Sequence, residues 1–194
     1  MIKLETPIAE EQIRNLKLGD SVLLSGTIVT ARDQGHKLMV EEKPDFLRPL
    51  LKESVIYHCG PVVSQESDGT WRFVSAGPTT SIREEPYQAD VVCEYGVRGV
   101  IGKGGMGDRT ADGLQRCGAV YFHAVGGAGT LIANAVVNVL DVHYLEEFGT
   151  PEAFWVIEVK DFPLVVTMDA AGNSLHKRIR EESTAVARTL MGLG

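Results

Sequence analysis

Twice in the second half of the chain a glycine-rich loop follows a short strand, and this repeat constrains the fold more than any other feature. The first unit reads VRGVI, then GKGGMG, then a helix over Asp108 to Cys117. The second reads AVYFHAV, then GGAG, then a helix over Thr130 to Glu147. Runs of β-branched and aromatic residues predict strands, and glycines mark the turns between strands and helices. We therefore expect an α/β domain.

The remaining elements fit the same domain, and at 194 residues the chain has the length of one well-buried unit over residues 1–194. A short helix begins at Asp33, a further apolar turn spans Phe46 to Leu51, and a last helix carries apolar residues on one face. These apolar residues are Leu175, Ile179, Val186 and Leu190. The other predicted strands are Ser21 to Thr30, Ser54 to Val63, Thr70 to Ala76, Phe154 to Lys160 and Leu164 to Met168.

Charge and hydropathy exclude two classes of partner. The net charge of -7 argues against nucleic acid or an anionic membrane as the main partner, so any cationic site must be local. The uncharged stretch from Cys117 to Leu140 has the length of a membrane helix, but Gly126, Gly127 and Gly129 interrupt it. We interpret it as a buried strand, a glycine turn and a core helix.

The cysteines and the N-terminus predict a cytoplasmic protein. Cys59, Cys93 and Cys117 are odd in number and lack CxxC spacing, so neither a disulfide framework nor a zinc or iron-sulfur motif is expected, which suits a reducing compartment. Cys59 lies in an apolar strand, where a buried thiol is usually inert. The first residues, MIKLETP, contain no signal peptide pattern.

The loop GKGGMG is the first candidate for a binding site. Gly102, Gly104 and Gly107 have GxGxxG spacing, but the next strand ends without the acid that a nicotinamide ribose requires, and Lys103 is followed by glycine rather than the Ser or Thr of a Walker loop. The glycines would let backbone N–H groups approach a carboxylate or phosphate at a helix start, with Lys103 adding charge. A tight turn with a solvated lysine is an equal alternative.

The segment GPTTSIR is the second candidate. It sets Thr79, Thr80 and Ser81 beside Arg83, which suits a carboxylate held by a guanidinium and a proton relayed by hydroxyls. A threonine hydroxyl is a poor base unless a neighbour activates it. In the alternative interpretation the hydroxyls cap a turn, and Arg83 pairs with Glu84 or Glu85.

The segment TARDQGH, after the first long strand, offers a further arginine and a histidine. Arg32 and His36 stand at a junction from strand to helix, where an anion could bind. Here too there is a structural alternative: Asp33 caps the helix, Arg32 is a surface charge and His36 is an ordinary residue of the first turn.

Six ordered motifs together carry a resemblance that spans about Leu16 to Asn173. They are SVLLSGTIVTARDQGHK, VIYHCGP, GPTTSIR, VRGVIGKGGM, GAVYFHAVGGAGTL and EAFWVIEVKDFPLVVTMDAAGN. The chain resembles the beta subunit, equivalent to the C-terminal domain, of class I iron-sulfur fumarate hydratases and the related L-tartrate dehydratases. The resemblance implies a swivelling β/β/α domain with a mixed sheet and flanking helices.

The resemblance also implies a shared active site. In the family the site lies between this part and an alpha part that holds a [4Fe-4S] cluster, so no metal ligand is expected here. By motif, Thr79 is the implied proton-transfer residue and Lys103 has a catalytic and substrate-binding role. The substrate-binding positions implied with Lys103 are Arg32, Arg83, His36, Thr80, Ser81, Gly102 and Gly104.

The expected activity is the reversible hydration of fumarate to (S)-malate, with a cluster-bearing alpha subunit in an α2β2 assembly. An isolated beta chain is expected to self-associate through its apolar partner surface. Three alternatives stay open: an L-tartrate dehydratase beta subunit, an anion- or nucleotide-binding module that uses GKGGMG without catalysis, and a structural partner without substrate contacts.

Overall fold

A computed structural model describes residues 1–193 and contains a mixed sheet of seven strands. The sheet order is β1-β2-β3-β6-β7-β9-β8, and β9 also pairs with β2, so that β2, β3, β6, β7 and β9 close into a barrel. A separate hairpin, β4-β5, completes the strands. The strands are β1 (Ile2–Glu5), β2 (Ser21–Thr30), β3 (Val55–Tyr57), β4 (Val62–Gln65), β5 (Trp71–Ser75), β6 (Gly99–Gly102), β7 (Val120–His123), β8 (Val136–His143) and β9 (Phe154–Met168).

Helices flank this sheet. They are α1 (Glu10–Arg14), α2 (Asp33–Glu41), α3 (Leu47–Leu51), α4 (Gln88–Tyr95), α5 (Asp108–Cys117), α6 (Gly129–Ala133), α7 (Leu145–Phe148) and α8 (Leu175–Leu190), with a 3-10 turn at Ser81–Glu84. The predicted α/β class with a mixed sheet is therefore confirmed. Among residues 1–193, no helix is both long and apolar enough to cross a bilayer.

Alternation along the barrel strands divides the core into two parts. On β9, Trp155 and Ile157 point into the barrel interior, whereas Phe154 and Val156 pack outward under helices. This period of two is what a strand with both faces buried requires. Helices α2 to α5 cover the outside of the barrel and pack on this second part of the core.

Strand direction decides where loops meet. The pairs β1-β2, β2-β3, β3-β6 and β6-β7 are all parallel, while β9 runs antiparallel to β2, β7 and β8. The carboxyl ends of β2, β3, β6 and β7 consequently lie at one edge, which we call the carboxyl edge. Loops that follow these strands are brought together there.

The predicted helix over Thr130 to Glu147 is wrong. Only Gly129–Ala133 is helical in its first part, and Val136–His143 forms β8, which pairs with β9. The run VVNVLDV is rich in β-branched residues, and it pairs with β9 through two register shifts that leave Val136, Val139 and Val142 partly buried. The core helix expected in the uncharged stretch is thus an outer strand of the sheet.

Other element predictions need smaller corrections. Phe154 to Lys160 and Leu164 to Met168 are parts of one strand, which passes through Asp161 at φ 50° opposite a bulge between Leu24 and Gly26. The predicted strand Ser54 to Val63 is split between β3 and β4. The last helix is confirmed as α8, but its apolar face is exposed.

A disulfide joins Cys93 of α4 to Cys117 of α5, with the two Cα atoms 5.3 Å apart. Cysteine spacing along the chain did not predict this bond, because it depends on the side-by-side packing of α4 and α5. The expectation of a chain without disulfides is therefore wrong for this pair. Cys59 is free and buried, and burial raises the pKa of its thiol to about 12, as inert packing implies.

Candidate active site

Four polar residues stand where the parallel strands end at the carboxyl edge. Arg32 follows β2, His58 follows β3, Lys103 follows β6, and His123 is the last residue of β7. The register aligns them, because Thr30 pairs with Tyr57, Tyr57 with Ile101, and Gly102 with His123. Residues that are far apart in the sequence are thereby gathered at one place.

Backbone hydrogen bonds attach the segment Thr79–Thr80–Ser81 to this edge. The N–H of Thr79 donates to the carbonyl of His58 at 2.7 Å, and the N–H of Lys103 donates to the carbonyl of Thr79 at 3.3 Å. The N–H of Ser81 in turn donates to the carbonyl of Lys103 at 3.1 Å. The segments GPTTSIR and GKGGMG therefore form one site, in which the backbones of Thr79 and Lys103 are hydrogen-bonded neighbours.

Arg83 and Arg32 are held by acids from other elements. Arg83 forms an ion pair with Asp33 of α2, so it pairs with neither Glu84 nor Glu85. Nε of Arg32 lies 3.3 Å from a carboxylate oxygen of Glu152. The N-cap residue of α2 is Arg32, and Asp33 is the first residue of the helix. The alternative in which Asp33 caps α2 is therefore wrong, and so is the one in which Arg83 pairs with Glu84 or Glu85.

Lys103 differs from the two arginines. Within residues 1–193 its ammonium group makes no ion pair and no side-chain hydrogen bond. Its side chain is half-buried and runs beside the second glycine turn, since a Cβ added at Gly126 would lie 3.4 Å from Lys103 Cδ. The described part of the chain therefore leaves the Lys103 charge available to an anion.

An acid of this chain occupies the helix start after GKGGMG. Glu85 accepts hydrogen bonds from the N–H of Gly107 at 2.7 Å, the N–H of Thr110 at 3.2 Å and the hydroxyl of Thr110 at 2.7 Å. These are the groups that would bind a phosphate or carboxylate at the N-terminus of α5. The expected anion site at this helix start is therefore filled by Glu85, and Lys103 points elsewhere.

Behind the edge lies a fully buried polar cluster. His58 Nδ1 is 2.8 Å from Ser81 Oγ, and the hydroxyl of Tyr121 donates to the same Oγ at 2.8 Å. The amide oxygen of Gln88, Oε1, lies 2.7 Å from His58 Nε2 and 3.0 Å from His36 Nε2. We call these five residues the buried cluster.

Burial sets the protonation of the cluster. Desolvation lowers the pKa of His36 to about 4 and that of His58 well below its ordinary value. Both rings are therefore neutral near pH 7. The same desolvation raises the pKa of the Tyr121 hydroxyl, which keeps its proton.

Glu84 is a buried carboxyl group next to this cluster. Its side chain is fully buried, neither carboxyl oxygen has a hydrogen-bond partner within residues 1–193, and Oε2 lies 4.0 Å from His58 Nδ1. Burial, with a contribution from the charge of Asp33, raises the pKa of Glu84 to about 8. Glu84 therefore holds a proton at neutral pH.

The glycines and hydroxyls of the expected site have distinct places. Gly102 packs directly on the buried cluster, whereas Gly104 is exposed at φ 82° with open space around it. Thr80 is exposed, Thr79 is half-buried and Ser81 is fully buried. Ser81 thus faces the interior.

Sequence reasoning did not identify Glu84, Gln88, Tyr121 or His123 as site residues. Glu84 was considered only as an alternative partner of Arg83, and Gln88 begins a helix with no motif around it. Tyr121 and His123 lie in a strand that was assigned to the core. The motif predicts His36 at the site, whereas its contacts with Gln88 and the carbonyl of Arg32 depend on the fold.

The described residues do not fit an iron-sulfur cluster. Within residues 1–193 no group of three or more His, Cys, Asp or Glu side chains is arranged to hold a metal ion. Cys59 is buried, and Cys93 and Cys117 are bonded to each other. No thiolate set is therefore offered by this chain.

Fold and site together define a mixed α/β barrel domain with a cationic, hydroxyl-bearing carboxyl edge. A sequence profile described as "Fumarase C-terminus" matches residues 1–179. The chain belongs to this fumarase C-terminus family.

Similar proteins carry two different names. A putative fumarate hydratase class I of Geobacillus stearothermophilus is 50% identical over 184 residues, which cover 94% of this chain and 35% of that protein. A putative L(+)-tartrate dehydratase subunit beta of Methanocaldococcus jannaschii is 38% identical over 189 residues, 96% of each chain. The L(+)-tartrate dehydratase subunit beta of Escherichia coli K12 is 40% identical over 176 residues, 89% of this chain and 85% of that one. The chain thus spans about a third of the first relative and nearly all of the second.

Proposed function

We propose that this chain is the beta part of a hydro-lyase that adds water to fumarate to give (S)-malate, with an active site shared with an alpha subunit. The observation that carries the proposal is the ammonium of Lys103, which forms no ion pair among residues 1–193, beside the hydroxyl residue Thr79 at the carboxyl edge. The names of the relatives support this reaction class.

Substrate binding in this proposal depends mainly on Lys103. A dicarboxylate brings two negative charges, and Arg32 and Arg83 are already close to Glu152 and Asp33. The arginines therefore orient a carboxylate while sharing their charge with these acids, and Lys103 supplies the uncompensated positive charge. Thr80 and Gly104, both exposed, line the approach, and His36 fixes the carbonyl of Arg32 from below.

Thr79 is the proposed proton carrier. Hydration adds a hydroxyl group to one alkene carbon and a proton to the other, and Thr79 would deliver or remove that proton. Backbone hydrogen bonds to His58 and Lys103 hold Thr79 on both sides, which fixes the position from which its hydroxyl would reach the substrate. In this proposal the [4Fe-4S] cluster belongs to the alpha subunit. The roles given to residues of this chain do not involve the cluster.

The alternative of an L-tartrate dehydratase beta subunit differs from the proposed function only in its substrate. Fumarate and tartrate share two carboxylates and differ in small polar groups, and the beta subunits named for tartrate are matched over most of their length. By contrast, the anion- or nucleotide-binding module is disfavoured, because Glu85 occupies the helix start that it would use.

Anaerobic co-expression with a cluster-bearing alpha subunit tests the proposal. We expect a complex, with two copies of each chain by light scattering, that hydrates fumarate and dehydrates malate, whereas the isolated chain self-associates and is inactive. A higher kcat/KM for tartrate than for malate would select the tartrate alternative. A stable complex without turnover on any dicarboxylate would contradict the proposal and leave a structural role.

A further inference from the structure

The guanidinium group of Arg32 is held by three residues from other parts of the chain. Its side chain is only 18% exposed, and its Nε lies 3.3 Å from Oε1 of Glu152. Its Nη1 donates to the carbonyl of Pro151 at 3.5 Å. Arg32 also packs on Gly60, since a Cβ added at Gly60 would lie 3.1 Å from Arg32 Cδ and closer still to Nη1. The guanidinium therefore has little room to turn.

Glu152 is itself fixed by the start of α2. Its Oε2 accepts a hydrogen bond at 3.0 Å from the N–H of Gln34, one of the N–H groups that the first turn of a helix leaves without an intrahelical partner. Its side chain is 14% exposed. One carboxylate oxygen is thus anchored on α2, and the other faces Arg32. An acid anchored in this way orients a guanidinium without the entropy cost of holding two mobile side chains.

The part of the guanidinium that remains free is its terminal edge. Nε is buried, so the side of the group formed by Nε and Nη2 is closed to a ligand. Nη2 makes no hydrogen bond with residues 1–193 and is not buried. A carboxylate can therefore reach Arg32 only through Nη2 and the edge that Nη2 shares with Nη1.

The guanidinium lies beside the segment that carries Thr79. Gly60, on which Nη1 packs, follows Cys59, and Cys59 pairs with Pro78 through an isolated β-bridge. Thr79 is the next residue after Pro78, and its N–H donates to the carbonyl of His58. A carboxylate bound at the terminal edge of Arg32 would consequently lie near the proposed proton carrier.

We propose that Glu152 and Gly60 are positioning residues, which fix Arg32 so that its terminal edge binds one carboxylate of the substrate. This inference rests on the proposed function. Glu152 acts through its ion pair with Arg32, and Gly60 acts by leaving the space that the guanidinium occupies. Neither residue touches the substrate, and Lys103 remains the source of uncompensated positive charge.

Glu152→Gln in the assembled complex removes the ion pair and keeps the anchor. The amide oxygen can still accept the N–H of Gln34, whereas Arg32 becomes free to adopt other rotamers. We expect KM for the dicarboxylate to rise about tenfold with kcat nearly unchanged, the pattern that follows when binding is lost equally in the ground and transition states. A lower KM would overturn the proposal, because Glu152 would then act only by repelling the dianion.

Glu147→Gln is the matched control for this change. Glu147 lies on α7, five residues before Glu152, and its side chain is exposed. The substitution removes the same charge without touching Arg32. Both kcat and KM should keep their wild-type values, and a rise in KM equal to that of Glu152→Gln would overturn the positioning role.

A double-mutant cycle shows whether Glu152 acts through Arg32. Arg32→Ala should raise KM more than Glu152→Gln does, and adding Glu152→Gln to Arg32→Ala should change KM by less than about twofold. A merely structural role of Glu152 would give the same change of KM with and without Arg32. Equal changes in the two backgrounds would overturn the proposal.

Gly60→Ala tests the space beside Arg32 in the purified chain, without an activity assay. The added methyl group would meet Arg32 Nη1 and would lie 2.9 Å from the carbonyl oxygen of Pro151. We expect Gly60→Ala to lower Tm, and to lower it less when Arg32 is also changed to Ala, because part of the overpacking is then removed. An equal fall of Tm in both backgrounds would show that Gly60 does not make room for the guanidinium.

The two proposals fail in distinguishable ways. If the complex turns over dicarboxylates and Glu152→Gln has the wild-type KM, the positioning role is wrong and the proposed function stands. If the complex has no activity on any dicarboxylate, the proposed function fails together with the role of Arg32 in substrate binding. The Tm cycle between Gly60 and Arg32 still decides in that case whether Gly60 fixes the guanidinium.

Discussion

The absent side chain of Gly102 makes the space that Ser81 occupies. A Cβ added at Gly102 would lie 2.9 Å from the Tyr121 hydroxyl, 3.2 Å from His58 Nδ1, and closer still to Ser81 Oγ. Gly102 has a fully buried position at the end of β6. The glycine of the GKGGMG loop that best fits a binding motif is therefore required by side-chain packing behind the site.

Gly102→Ala is expected to lower the free energy of unfolding by about 1–3 kcal/mol, the usual cost of overpacking a filled interior. The reason is that Ser81, His58 and Tyr121 cannot all keep their positions beside a methyl group. Chemical denaturation measures the change. Gly104→Ala is the control: it meets open space and incurs only the strain of φ 82°, which costs about 1 kcal/mol.

Glu84→Gln should change how stability depends on pH. The folded pKa of about 8 lies above the unfolded value near 4.5, so the contribution of protonated Glu84 is complete below pH 4.5 and is lost as pH rises toward 8. Relative to wild type, the variant should gain stability by several kcal/mol between these limits, at about 1.4 kcal/mol per pH unit. Urea unfolding at a series of pH values checks this, and a pH-independent difference would contradict it.

The buried His36 should make the stability of the fold depend on pH in the opposite direction to Glu84. The folded pKa of His36, about 4, is lower than its ordinary value of 6.5, so its contribution to stability is present above pH 6.5 and is lost as pH falls toward 4. His36→Gln should therefore weaken the loss of stability in acid. Thermal unfolding between pH 4 and 7 measures it, with the half-exposed His143 changed to Gln as a control.

Asp33→Asn should lower the pKa of Glu84, because the charge of Asp33 helps to raise it. The same change releases Arg83 from its ion pair. The carboxyl titration of Glu84 should shift to lower pH in this variant, as read by carbon-13 NMR. No shift would mean that burial alone sets the proton affinity of Glu84.

Reduction of the Cys93–Cys117 bond should destabilise the chain. The bond closes a loop with a sequence separation of 24 residues, and loop entropy sets the gain at about 3 kcal/mol. Thermal unfolding with and without reductant measures it. The Cys93→Ser, Cys117→Ser double variant should show no response to reductant, and an unchanged wild-type Tm in reductant would contradict the prediction.

Sequence motifs single out residues in the segments that connect strands to helices. Arg32 and Lys103 come shortly after β2 and β6, and Thr79 and Arg83 lie in the segment between β5 and α4, where turn residues are visible in the sequence. The burial of Glu84 and the contacts of Gln88 depend on how a 3-10 turn and a helix pack against β3. No local pattern encodes that packing.

In the proposed function, Lys103 supplies the positive charge that holds a dicarboxylate at a site shared with an alpha subunit. Lys103→Ala in the assembled complex tests it most directly, with Lys37→Ala on the exposed face of α2 as the matched control. We predict a loss of kcat/KM of at least about 100-fold for Lys103→Ala, the scale of a lost charge-stabilising group, with assembly intact and the control unchanged. Wild-type kcat/KM in Lys103→Ala would contradict the account.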